Sequence, residues 1–113
     1  MHELGVVMEV IKVVEQTMRE NNLTQVDTIV LQIGELSSMI PHYVKDCYPA
    51  CVDGTSLEKT KLEIEVLSAN AMCKQCNKVY PVVINKGVCP HCSSDAKELL
   101  GGREFFIKEI VAC

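Results

Sequence analysis

From about His2 to Arg19, apolar residues recur three and four positions apart: Leu4, Val7, Met8, Ile11, Val14 and Met18. That period predicts a helix with these side chains on one face. Glu9, Lys12, Glu15, Arg19 and Glu20 lie mostly off the stripe, and Glu15 with Arg19 forms a favourable i,i+4 pair. Asn21-Asn22 provides a left-handed stop. From Gln25 to Gly34 the period changes to two, with Ile29, Leu31 and Ile33 opposed to Thr28, Val30 and Gln32, as in a strand. Ser37 and Ser38 open a turn, and Pro41 suits the first turn of a short second helix. In that helix Tyr43, Cys47 and Cys51 fall four apart beside Val44 and Tyr48, and Asp53-Gly54 ends it. A second strand follows from about Lys61 to Leu67, with Leu62, Ile64 and Val66 alternating against charged residues.

Ser68 to Asn70 marks a break in composition, after which cysteines dominate. Gly101-Gly102 is a turn, and Arg103 to Val111 reads as a last strand. Alone, that strand would leave its backbone groups unpaired. It is therefore expected to return to the first sheet, making the cysteine segment an insertion. The expected fold is α+β: two helices on a small three-stranded sheet, with an inserted four-cysteine zinc domain. The corresponding division is 1–68 plus 100–113 for the first domain and 69–99 for the second.

A length of 113 residues, 48% of them hydrophobic, supports one modest core, filled by aliphatic side chains because Trp is absent. No apolar run approaches the roughly 20 residues needed to span a bilayer. Glu3 and Glu9 interrupt the N-terminal region, which does not read as an export signal, so a cytoplasmic protein is expected. A net charge of −4 offers no general attraction to nucleic acid or to an anionic membrane.

In a reducing compartment, seven cysteines point to metal ligation for at least some of them. Cys73-x-x-Cys76 and Cys89-x-x-Cys92 are separated by twelve residues. Each pair converges two sulfurs at a tight turn, and the link is long enough for a hairpin to bring the pairs together. Four thiolates in a tetrahedron suit zinc. So short a segment buries too little surface to fold alone, whereas structural zinc supplies on the order of 10–16 kcal/mol. Cys47 and Cys51, four apart on a helix, have parallel side-chain vectors that disfavour a disulfide. They are expected as small buried residues, and Cys113 as a free thiol.

The chain opens Met1-His2-Glu3. The Met1 amine, the His2 amide nitrogen and the His2 imidazole can close two chelate rings on one ion. Such a planar nitrogen set favours Ni(II) or Cu(II) over zinc. On the residues alone, an exposed histidine at a chain end is the plainer reading, and Glu3 is explained by the helix dipole. His42 and His91 admit two readings as well: a contribution to a metal site, or a solvated side chain.

Taken together, Met1-His2-Glu3-Leu4, Ile33-Gly34-Glu35-Leu36-Ser37, the four cysteines and the closing strand after Gly101-Gly102 resemble the HypA/HybF family of hydrogenase maturation proteins. The resemblance covers essentially the full length. It implies a nickel metallochaperone: His2 as principal nickel ligand, the Met1 amine and local backbone nitrogens completing most of the site, and Glu3 tuning it or aiding partner docking. Cys73, Cys76, Cys89 and Cys92 hold structural zinc by the same likeness. Nickel is then transferred cargo. The implied partners are a nickel-binding GTPase maturation factor and the hydrogenase large-subunit precursor. Ile40 departs from family members that carry an acidic residue after the Ser-x-Met segment. That leaves Glu3, His42 and His91 as candidates for the fourth nickel position.

Two other functions are weighed against this one. A zinc-ribbon adaptor binding protein or nucleic acid would share the cysteine pairs. The acidic charge and the single aromatic between the pairs, Tyr80, argue against nucleic acid. A thiol enzyme would need a Ser/His/Asp or Cys/His arrangement. His91 beside the metal-ligating cysteines is the nearest approach to one, so no catalysis is expected.

Overall fold

The structure is a computed structural model and describes residues 3–112. Met1, His2 and Cys113, on which the nickel and free-thiol expectations fall, lie outside the described residues. Helix α1 (Glu3–Glu20) is followed by β1 (Val26–Gly34), α2 (Pro41–Val52) and β2 (Lys61–Leu67). Three short strands come next, β3 (Asn70–Cys73), β4 (Val79–Pro81) and β5 (Lys97–Leu99), and β6 (Phe105–Ala112) closes the chain.

β1 is the centre of the first sheet, order β2-β1-β6. It pairs parallel with β2, so the connection must cross over, and α2 makes that crossing. β6 runs antiparallel to β1, setting Ile29, Leu31 and Ile33 opposite Ile110, Ile107 and Phe105. The alternation of β1 therefore carries across all three strands, through Leu62 and Ile64 of β2. Thr28 and Val30, on the other face, are buried too. The register places Glu63 and Glu109 on either side of Val30. A register shift between Val30 and Leu31 leaves Lys108 as an extra residue of β6. Its ammonium reaches both oxygens of Glu65 at 3.1 Å, and Gln32 donates to the same carboxylate at 3.0 Å.

α1 buries Val7, Val10, Ile11, Val14 and Met18 against this sheet, ending where Asn22 takes φ +54°. Leu4 and Met8, expected on the buried stripe, are about half exposed, and Val10 takes the inner position. Leu4 and Met8 lie to one side of the arc centred on Glu3, Val7, Val10, Val14 and Met18, so the same turns bury those residues and leave these two at the margin. α2 buries Val44, Tyr48 and Val52, leaving Tyr43 exposed. Cys47 and Cys51 flank that face, half-buried and packed against the core instead of sealed inside it. Burial pushes the Tyr48 phenol up to about 12, and its hydroxyl donates to the Thr60 carbonyl at 2.9 Å. The Thr60 hydroxyl in turn donates to the Val26 carbonyl at 2.7 Å, tying the β2 approach to β1.

The second sheet, order β4-β3-β5, has its own small cluster of Ala69, Ala71, Cys73, Tyr80, Val82 and Cys89. The two sheets have separate cores, and the molecule extends 54 × 27 × 16 Å. Its radius of gyration of 17.7 Å exceeds the about 13 Å of a single compact body of this length. No described helix is long and apolar enough to cross a membrane.

Candidate functional site

The cysteine module is built from two turns. Cys73 ends β3, and the chain then reverses: Asn77, at φ +60°, donates its N–H to the Cys73 carbonyl. The second turn repeats this, with Ser93 at φ +64° donating to the Cys89 carbonyl. Within each turn a backbone N–H points at the first sulfur, Gln75 at Cys73 and His91 at Cys89, both at 3.4 Å. Tyr80 is buried beside the cysteines and donates to the Gly87 carbonyl at 3.3 Å, which Lys97 also reaches at 3.0 Å. These bonds fix the loop that returns the second pair.

The sulfurs of Cys73, Cys76, Cys89 and Cys92 all lie within 4.8 Å of one another. Two of their separations are 3.4 Å (Cys73–Cys92) and 3.7 Å (Cys76–Cys89). A tetrahedron with zinc–sulfur bonds of about 2.3 Å has edges of ~3.8 Å. The cluster fits structural zinc. The Cys73 thiol is drawn down to about 6, chiefly because the Cys76 N–H points at its sulfur, with burial opposing and the Gln75 N–H assisting. At Cys92 the Ser94 N–H lowers the thiol while the neighbouring sulfurs and burial raise it, for a net rise to about 12. Cys76 is raised too, so ionising all four thiols together calls for a bound cation.

At the other end, Glu3 is the first described residue and begins α1. The residue is 4% exposed, and one carboxylate oxygen accepts the Ile40 N–H at 3.4 Å. Glu3 thus joins the start of α1 to the start of α2, which Ile40 precedes with no side-chain cap of its own. Ile40 contributes a main-chain donor and supplies no carboxylate at that position. His42 is exposed and lies 3.2 Å from Asp46, one turn further along α2. His91 is exposed in the second knuckle. Sequence reading did not find the bond between Glu3 and Ile40, because nothing in a helix-opening glutamate announces a partner 37 residues away.

A cysteine module of this geometry, inserted into a helix-covered three-stranded sheet, defines a small α+β metal-binding protein. The family described as "Hydrogenase/urease nickel incorporation, metallochaperone, hypA" matches residues 1–112. The Hydrogenase maturation factor HypA of Dechloromonas aromatica (strain RCB) is 36% identical over 110 residues, 97% of each chain. That of Aquifex aeolicus (strain VF5) is 30% identical over 110 residues, 97% of this chain and 96% of its own. Among solved structures, the solution structure of the Ni metallochaperone HypA from Helicobacter pylori is similar at a TM-score of 0.66 and 25% identity, covering 99% of this chain and 97% of that one. The chain belongs to the HypA family. It is a nickel metallochaperone of hydrogenase maturation, and that role entails interaction with other components of the pathway.

Proposed function

We propose that the chain binds Ni(II) at its N-terminus and hands it on during maturation of nickel–iron hydrogenase. The Met1 amine, the His2 amide nitrogen and the His2 imidazole supply the planar nitrogen set. Glu3 stands next to them. The observation that carries this reading is the fixed, buried Glu3, which anchors the first turn of α1 to the main chain before α2. A chelate attached to such a point is presented to a partner from a defined position. An open, terminal chelate also releases its ion more readily than an enclosed cage, as cargo requires.

Under the same reading, residues 1–68 with 100–113 form the nickel-binding domain and 69–99 the zinc-binding domain. Two separate sheets with separate cores support that division. Cys73, Cys76, Cys89 and Cys92 hold the zinc, supported by the match of their sulfur separations to a zinc tetrahedron. The chain works in the cytoplasm with a nickel-binding GTPase and the hydrogenase large-subunit precursor, and catalyses nothing itself.

The test is a nickel titration of the zinc-loaded protein, compared with His2→Ala and with a form carrying one residue added before Met1. Each change weakens nickel binding more than about tenfold, a loss above about 1.4 kcal/mol. Unchanged affinity in both would remove the N-terminal site. A salt-sensitive nucleic-acid complex in its place would favour a zinc-ribbon adaptor.

A further inference from the structure

Neither metal-binding cluster uses the segment Gly34-Glu35-Leu36, yet it is bonded to both connections of the cysteine module. On the outgoing side, the Glu35 N–H donates to the Leu67 carbonyl at 2.9 Å. The Glu35 carboxylate then accepts the Ala69 N–H at 2.8 Å. On the returning side, the Gly34 N–H donates to the Glu104 carbonyl at 2.8 Å and the Leu36 N–H to the Gly102 carbonyl at 2.6 Å. The two connections also touch each other. Gly102, at φ +113°, lies against Ala69, and a side chain at Gly34 would overlap the Gly102 carbonyl. Three residues at the end of β1 thus gather two stretches of chain more than thirty positions apart.

The same segment continues to the N-terminal site. The Ser37 hydroxyl accepts the Met39 N–H at 3.1 Å, and the next residue, Ile40, donates its N–H to Glu3. Seven residues, 34–40, therefore run from the module's connections to the residue beside His2. Three of the four bonds at the clamp are main-chain to main-chain and do not depend on the Glu35 side chain. Among the described residues, the carboxylate of Glu35 is the one side chain that reaches from the end of β1 to a connection. Its partner amide belongs to Ala69, which is fully buried. An unpaired buried N–H is unfavourable, so loss of the carboxylate loosens the outgoing connection.

We propose that Glu35 is a positioning residue: it fixes the cysteine module relative to the N-terminal nickel site, so that both meet a recipient in one orientation. The clamp itself stands on the contacts above, and only its use in transfer rests on the nickel reading. The experiment uses the full-length, zinc-loaded protein, Glu35→Ala and Glu35→Gln, the glutamine keeping an oxygen that accepts the Ala69 N–H. Backbone nitrogen relaxation is measured first, without nickel. Wild type and Glu35→Gln tumble as one body. In Glu35→Ala, residues 70–99 show a shorter correlation time than α1 and the first sheet, with zinc content and first-sheet chemical shifts unchanged. A single correlation time throughout Glu35→Ala overturns the clamp. Nickel affinity and transfer to the hydrogenase large-subunit precursor are measured next. Glu35→Ala keeps wild-type affinity and transfers severalfold more slowly, and Glu35→Gln restores the rate. Equal transfer rates for a loosened Glu35→Ala overturn the role in delivery. Failure of wild type to bind nickel would strike the N-terminal reading and leave the relaxation result standing.

Discussion

Gly102 satisfies two demands that no other residue type meets together. Its φ of +113° belongs to a region that side chains rarely occupy, and the space a Cβ would fill is taken by Ala69, whose Cα stands 2.8 Å away. Gly102→Ala is therefore expected to destabilise the first sheet by more than about 2 kcal/mol, read from denaturant unfolding followed by far-UV circular dichroism. An effect within experimental error would show that the connection can move aside. Gly101-Gly102 was legible as a turn, because paired glycines interrupt any apolar period. The reason for the second glycine was not, since its neighbour Ala69 lies on the far side of the inserted module. The same distance hid the bond between Glu3 and Ile40 and that between Glu35 and Ala69. Side chains that bond to a remote main chain leave no periodic trace.

Among elements, β6 carries most of the non-obvious electrostatics. Its extra residue, Lys108, meets Glu65 of β2 across β1, and Gln32 of β1 bonds the same carboxylate. The Glu65 carboxyl is held below the usual carboxylate range, first by the Gln32 hydrogen bond and then by Lys108. A carboxyl whose folded-state pKa is depressed adds stability above its unfolded value, and that stability disappears as pH falls through the folded value. Glu65→Gln should therefore flatten the acid limb of the melting temperature below about pH 4 and change its slope little near neutrality. Parallel acid limbs for the two proteins would mean that the network adds nothing on folding. Element positions were largely legible. α1, β1, α2 and β2 have a clear period, and the return of β6 to the first sheet follows from the need to pair its backbone. The module's strands were not, because three or four residues around fixed turns are too few to show an alternation. Leu4 and Met8 were placed on the buried stripe by period alone, which does not fix which part of an apolar arc faces the core.

For the whole molecule, two cores of unequal size imply unequal dependence on metal. The first is filled by long aliphatic side chains from every major element, whereas the second has six buried residues, two of them cysteines. Removal of zinc under reducing conditions should collapse the amide dispersion of residues 70–99 and leave most signals of α1, β1 and β2 in place. Retention of the module's signals after chelation would mean that packing around Tyr80 suffices by itself. The position of β6 also governs the order of assembly. As the chain emerges from the ribosome, β1 and β2 are made long before the strand that covers the open edge of β1, with the entire cysteine module in between. Closing so long a loop is entropically unfavourable, and a folded module shortens the stretch that has to be closed. Capture of zinc by the nascent module should thus speed the docking of the last strand on the first sheet, so that metal occupancy tunes how long the edge of β1 stays open.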